Sequence, residues 1–121
     1  MALNKILCTV PSTIIPRSPF VGHNLNKVAS FEFWEEKYKI PKSLLIEKLH
    51  GADALLTDSA LPIDKEVIYS AKDSLKIIAD VGVGYDNIDI ETAAKHGIPV
   101  CNNPHILQGN VAELNFALML T

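Results

Sequence analysis

The sequence is poor in the features that mark several large classes of protein. It has only two cysteines, Cys8 and Cys101, too few for a disulfide framework or a zinc site. It has no run of lysines and arginines, and its net charge is −3, so we expect no binding to nucleic acid. No apolar stretch approaches the ~20 residues of a membrane-spanning helix, and the first residues do not resemble a signal peptide. We therefore expect a cytoplasmic protein with two buried, reduced thiols and no membrane association.

The length of 121 residues suits one globular domain. The composition, with 48% hydrophobic and 21% charged residues, is also typical of globular proteins. Five apolar segments are predicted as strands, at 3–10 (buried on both faces), 27–31 (the weakest), 53–57, 75–79 and 98–101. Four helices are predicted between and after them, at 41–50, 65–71, 89–96 and from 109–111 to the end. Asp64 and Asp89 suit helix N-caps, and Gly51 and Gly97 suit helix stops.

The alternation of these strands and helices predicts the architecture. The spacings are too long for hairpins, so the strands should run parallel and be joined by crossover helices. Right-handed crossovers then give an α/β fold, a doubly wound five-stranded sheet with helices on both faces.

The last helix reads VAELNFALMLT and is apolar nearly all round. Such a helix expects protein on every side, so we expect that more protein belongs beyond Thr121. Glu113 is expected to cap or pair at this helix. Earlier in the chain, the aromatic residues of FEFWEEKYK predict a cluster over the edge of the core rather than a shelf for stacking a ligand.

The most informative stretch is the loop with Gly82 and Gly84, which follows one buried strand and precedes a helix. Gly82, Gly84 and Asn87 nearly match the dinucleotide fingerprint, but Asn87 cannot replace the third glycine, and the helix begins too late. Two interpretations stay open from spacing alone. In the first, free N–H groups around Val83 and Gly84 form a nest that binds a carboxylate. In the second, the loop is only a tight turn that connects the strand to the helix.

Other polar residues carry weaker signals. The four histidines have no metal-ligand spacing, so we predict no metal site. His105 has the chemistry of a general base, but the resemblance described next places that role elsewhere. Asp80 and Asp86 flank the glycine loop, where an acid pair is conceivable, although Asp86 is expected to accept hydrogen bonds from loop N–H groups instead.

The stretch from Val81 to Thr121 resembles the D-isomer-specific 2-hydroxyacid dehydrogenases, which include phosphoglycerate dehydrogenases and glyoxylate and hydroxypyruvate reductases. The resemblance runs for about 40 residues without a gap and extends more loosely over the whole chain. It is carried by the two loop glycines and by the following segments: Asp86-Asn87-Ile88-Asp89, Ala93-Ala94, Gly97-Ile98-Pro99-Val100, Asn102 with Pro104, and Val111-Ala112-Glu113.

The resemblance implies that residues 1–108 are the N-terminal segment of a flavodoxin-like substrate domain. Residues 109–121 would begin a linker helix to an absent Rossmann domain that binds NAD or NADP. The family's catalytic Arg, Glu and His would lie beyond Thr121, so no catalytic residue is expected here. The full protein would be a homodimer that acts on a small 2-keto or 2-hydroxy acid.

The resemblance also implies site residues. Gly82, Val83, Gly84, Ser59 and Ala60 are expected to contact the substrate, and Val83 and Gln108 the cofactor. Asn103 and His105 depart from the family pattern, as do Gln108, Gly109 and Asn110, which puts the cofactor contact in doubt.

Two functions from different classes follow. The first is a fragment of an NAD(P)-dependent oxidoreductase that supplies part of a carboxylate pocket and is inactive alone. The alternative is a stand-alone flavodoxin-like module that binds a small anion or a partner.

Overall fold

The computed structural model describes residues 4–11, 27–105 and 107–121 and contains one five-stranded sheet in the order β2-β1-β3-β4-β5. All neighbouring strands are parallel. The strands are β1 Asn4–Cys8, β2 Ala29–Phe33, β3 Ala54–Thr57, β4 Ile77–Asp80 and β5 Val100–Cys101. This is the strand order of flavodoxin-like sheets, so the predicted fold class is confirmed.

In the described residues four helices connect or follow the strands: α1 Lys42–Leu49, α2 Lys65–Ala71, α3 Ile90–Lys95 and α4 Gln108–Leu120. Helices α2 and α3 begin at the predicted caps. The Asp64 side chain accepts a hydrogen bond from the Val67 N–H, and Asp89 accepts one from the Thr92 N–H. Gly51 and Gly97, with φ of 74° and 69°, follow α1 and α3 as predicted.

The bounds of every strand differ from the sequence prediction, by one residue at β3 and by more at the others. Strand β1 is Asn4–Cys8 rather than 3–10, and β4 is Ile77–Asp80 rather than 75–79. Strand β2 lies at Ala29–Phe33 rather than 27–31, because Lys27 and Val28 form a turn before it. Strand β5 begins at Val100 rather than at residue 98. The N–H of Ile98 is bonded to Ala93 O in the turn that ends α3, so it cannot join the sheet.

The core lies between the sheet and the helices α1 to α3. Its fully buried large side chains include Leu7, Leu45, Leu49, Leu55, Ile63, Ile68 and Ile78. In β1 only the second half is buried, so the prediction of burial on both faces holds for Leu7 and Cys8 but not for Asn4.

The two cysteines lie in different environments. Cys8 is buried, and burial raises the pKa of its thiol to about 11. Cys101 is exposed, so the prediction that both thiols are buried is wrong for it. Strand β5 has only two residues and pairs with β4 alone among the described strands, and no neighbouring strand covers Cys101.

The aromatic residues of β2 and the following loop lie at the edge of the core. Trp34 is partly buried against the core and donates its indole N–H to Tyr38 O. The ring of Tyr38 meets the Trp34 ring edge-on and is 60% exposed. This agrees with the predicted cluster over the core edge.

Helix α4 differs from the others because every one of its residues is exposed. Glu113 has no hydrogen bond or ion pair within the described residues, so its expected capping or pairing role is not seen there. In the parts of the chain that the structure describes, no helix has the length and hydropathy needed to cross a bilayer.

Candidate functional site

The glycine loop, defined here as residues 81–86, leaves the carboxyl end of β4 and is held by hydrogen bonds from two directions. Asp80 Oδ1 accepts from the Gly82 N–H at 2.5 Å. On the β5 side, the Asn103 N–H donates to Gly82 O at 2.9 Å, and Asn102 Nδ2 donates to Val83 O at 2.7 Å. The loop backbone is therefore fixed at two successive residues.

Gly82 is required by close approach rather than by backbone conformation. A Cβ atom at this position would overlap the Ser59 hydroxyl and would lie 2.9 Å from Asp80 Oδ1. In the described ranges, positive φ angles among glycines occur at Gly51 and Gly97, not in the loop. A side chain at Gly82 would therefore require the Ser59 side chain or the loop to shift.

The N–H groups of Val83 and Gly84 are free to bind a ligand. Within the described residues the amides of residues 83–87 donate no hydrogen bond, whereas those of Val81 and Gly82 are both bonded. Val83 and Gly84 are the first two of this free run. Val83 is half-buried and Gly84 is exposed. Adjacent free N–H groups at the carboxyl end of a parallel strand have the chemistry of an anion-binding nest.

Asp80, and not Asp86, holds the loop. The expectation that Asp86 accepts hydrogen bonds from loop N–H groups is wrong, because Asp86 has no such bond among the described residues. Asp80 is 3% exposed and lies two residues before Gly82, which is the spacing at which an aspartate side chain reaches the backbone. Its second oxygen, Oδ2, is buried and has no partner in the described part of the chain.

Asn87 links the glycine loop to the loop that follows β3. Its Nδ2 donates to Asp58 O at 3.1 Å and to Leu61 O at 2.9 Å. In the sequence, Asn87 stands where the dinucleotide fingerprint has its third glycine, so the sequence alone indicates only a mismatch. Its partners lie 29 and 26 positions earlier, and no local pattern reveals them. Asn87 is thus a structural link between two loops at the same edge of the sheet.

The two predicted substrate residues after β3 lie in different surroundings. Ser59 reaches the glycine loop, since its hydroxyl occupies the space beside Gly82. The backbone of Ala60 donates to Asp58 Oδ1 at 2.9 Å and accepts from Lys39 Nζ at 2.8 Å. Ser59 therefore contacts the glycine loop, whereas the bonds of Ala60 go to Asp58 and Lys39.

The two predicted cofactor residues lie in one groove. This groove has a volume of about 450 Å³ and lies between the glycine loop and the first turns of α4. Its lining residues are Val83, Leu107, Gln108, Val111, Ala112 and Asn115. Gln108 Oε1 lies 3.4 Å from His105 Nδ1, so the side chain of His105 is directed at the same end of α4.

No group of three or more potential metal ligands occurs within ranges 4–11, 27–105 and 107–121. A second, larger groove of about 560 Å³ lies beside β5 and α3 and is mostly apolar. Its lining includes Tyr85 of the glycine loop and Asn102, which donates to Val83 O.

Comparison with protein families gives a match over most of the chain. The model of the D-isomer specific 2-hydroxyacid dehydrogenase catalytic domain matches residues 14–117. A glyoxylate reductase of Pyrococcus horikoshii is 47% identical over 112 residues, which are 91% of this chain and 33% of that protein.

Two solved structures show the same fold. A 3-phosphoglycerate dehydrogenase of Entamoeba histolytica with bound NAD⁺ has a TM-score of 0.76 and 30% identity, over 98% of this chain and 38% of its own. A D-lactate dehydrogenase of Aquifex aeolicus, complexed with NAD and lactic acid, has a TM-score of 0.74 and 27% identity, over 98% of this chain and 33% of its own. The chain spans about a third of the length of the relatives that it matches.

Proposed function

The chain belongs to the D-isomer specific 2-hydroxyacid dehydrogenase family, and from that premise we propose that it forms part of an oxidoreductase. The reaction interconverts a D-2-hydroxy acid and its 2-keto acid by hydride transfer. In this proposal, residues 1–108 are the N-terminal segment of the substrate domain, and residues 109–121 begin the helix that links it to a nucleotide-binding domain.

The observation that carries the proposal is the pair of free amides at Val83 and Gly84. A carboxylate is common to 2-keto and 2-hydroxy acids, and two adjacent N–H donors bind it with charge-assisted hydrogen bonds. Asp80 accepts from the Gly82 N–H and Asn102 donates to Val83 O, and these bonds hold the flanking backbone in place before a ligand arrives. A fixed carboxylate orients the 2-carbon, so the role of this chain is to position the substrate.

The proposed cofactor is NAD or NADP. The residues of this chain suit contact with its nicotinamide end but not with its pyrophosphate. When bound, a nicotinamide cofactor supplies or accepts the hydride. The groove offers the Gln108 and Asn115 amides beside the apolar Leu107 and Val111. The glycine loop has no third glycine for a pyrophosphate, because Asn87 occupies that position and binds Asp58 and Leu61. The catalytic acid–base group is proposed to lie outside this chain.

Two further parts of the proposal come from the sequence and the family resemblance. The full protein acts as a homodimer, and it is located in the cytoplasm.

A second candidate function is a stand-alone module that binds a small anion or a partner protein. The complete exposure of α4, with its apolar side chains, favours this alternative as a partner-binding surface. It predicts anion binding without any turnover.

The test is an assay of glyoxylate and hydroxypyruvate reduction with NADH and with NADPH. Both the 121-residue chain and the product of the longest reading frame that contains it would be assayed. We expect turnover from the longer product and none from the chain alone. Anion binding with no turnover by either would favour the module, and turnover by the chain alone would contradict the proposed division of roles.

A further inference from the structure

We infer that Asp80 is the positioning residue of the glycine loop, acting through its hydrogen bond to the Gly82 N–H so that the Val83 and Gly84 amides face a ligand. This inference rests on the proposed function for the identity of the ligand, a carboxylate. The conformation of the loop itself can be measured without any ligand.

The environment of Asp80 is unusual for a side chain that only ends a strand. The residue is 3% exposed, and its Oδ2 is buried without a partner among the described residues. An unpartnered buried oxygen disfavours folding, so a carboxylate is a costly choice for this position. The gain is on Oδ1, because a carboxylate accepts a stronger hydrogen bond from an N–H than a neutral group does, and this bond is 2.5 Å long.

Gly82, whose N–H donates to Asp80, is also restrained by its other neighbours. Gly82 O accepts from the Asn103 N–H, and the Ser59 hydroxyl fills the space where a side chain would lie. With both of its polar backbone atoms bonded, Gly82 fixes the direction of the following peptide, which carries the Val83 N–H. Asp80 therefore controls the two free donors without touching a ligand.

The amino end of β3 offers a control at the opposite edge of the sheet. Asp53 Oδ2 accepts from the Lys5 N–H at 2.8 Å. Asp53 is half-buried, whereas Asp80 is buried. Removing either carboxylate deletes a hydrogen bond from a backbone N–H, but only Asp80 adjoins the glycine loop.

The experiment compares Asp80→Leu, Asp80→Asn and Asp53→Leu in the ¹⁵N-labelled chain. Hydrogen exchange of the Gly82 amide and the chemical shifts of Val83 and Gly84 are measured, and then oxalate is titrated. We expect Asp80→Leu to lower protection of the Gly82 amide roughly tenfold or more, to shift both free amides and to weaken oxalate binding. Asp80→Asn keeps an acceptor oxygen but loses the charge, so it should recover part of the loss in all three readouts. Asp53→Leu should leave them unchanged.

Several outcomes would overturn the inference. These are unchanged Gly82 protection in Asp80→Leu, equal losses in Asp80→Leu and Asp80→Asn, or equal effects of Asp53→Leu on the loop. If the wild-type chain does not bind oxalate while Gly82 protection still follows Asp80, the proposed carboxylate site fails and the loop-positioning role stands.

A measurement on the unmodified chain covers the case in which Asp80→Leu fails to fold. A scalar coupling across the hydrogen bond, between the Gly82 ¹⁵N and the Asp80 side-chain ¹³Cγ, is expected. Its absence, with Gly82 otherwise well ordered, would overturn the inference.

Discussion

Helices α2 and α4 are both rich in apolar residues, yet the structure buries only one of them. Helix α2 buries Val67, Ile68 and Ala71. Helix α4 buries nothing, and its Leu118 and Leu120 are 63% and 86% exposed. The same contrast holds at their N-termini, since Asp64 caps α2 with a side-chain hydrogen bond and α4 has no such bond.

The difference lies in where the apolar residues fall around each helix. In α2 they lie on the side that packs against the core, and Lys65, Glu66 and Ser70 remain exposed. In α4 they lie on every side, so no orientation against a single sheet could cover them. Apolar content therefore predicts that a helix forms, but only its distribution predicts what the helix packs against.

The largest expected effect comes from shortening one apolar side chain in each helix. Ile68→Ala should lower the free energy of unfolding by about 2–5 kcal/mol, because it removes fully buried methyl groups and leaves a cavity. Leu118→Ala should change it by no more than about 0.5 kcal/mol, because the side chain is exposed. Urea unfolding measures both. Similar losses in the two variants would show that α4 is packed in solution.

A smaller effect is expected at the helix N-termini. Asp64→Ala should cost about 1 kcal/mol, because the Val67 N–H loses its capping acceptor. Leu107→Ala, the equivalent change at α4, removes no side-chain hydrogen bond and should be close to neutral. Thermal unfolding of the two variants side by side is the check, and a neutral Asp64→Ala would mean that the cap does not stabilise α2.

The smallest expected effect is a pH dependence that comes from the capped helices. Hydrogen bonds from Lys42 and the Val67 N–H hold the pKa of Asp64 below its ordinary value, and bonds from Thr92 lower the pKa of Asp89. A carboxyl whose pKa is lower in the folded state stabilises the fold above its unfolded pKa, about 3.9. That stabilisation disappears as the pH falls through the folded pKa.

The measurement is the melting temperature of the wild type and of Asp64→Asn between about pH 2 and pH 6. Stability of the wild type should fall on the acid side, and Asp64→Asn should show a shallower fall. Parallel curves for the two proteins would contradict the assignment to Asp64.

Much of the fold could be predicted because its signals are local. Asp64 and Asp89 mark helix starts, and Gly97 marks a stop, through bonds to residues within one turn. The misplaced bounds of β2 and β5 depend on a turn and on a bond from Ile98 to Ala93 that the apolar pattern does not reveal. The exposure of Cys101 follows from the length and pairing of β5, which are properties of the sheet rather than of the residue.

The site was less predictable because its contacts are distant in sequence. The glycine loop was identified from its two glycines and its place after a strand. However, the space beside Gly82 is filled by the side chain of Ser59, which lies 23 positions earlier. Asn87 is held by two backbone carbonyls, of Asp58 and Leu61, that also lie far before it in the sequence. Asp80 and Asp86 both flank the loop in the sequence, and the structure separates them by the burial of Asp80 and by the hydrogen bond that it accepts from the Gly82 N–H. Whether Val83 and Gln108 contact a cofactor stays a prediction, although they line one groove.

The central claim is that the Val83 and Gly84 amides bind a substrate carboxylate. The most direct test is a titration of glyoxylate into the ¹⁵N-labelled chain, followed by the amide resonances of the whole chain. The account predicts saturable shifts that are largest at Val83 and Gly84 and absent at the capped amides of Val67 and Thr92. Shifts that are largest elsewhere, or no saturable shift at either loop amide, would contradict it.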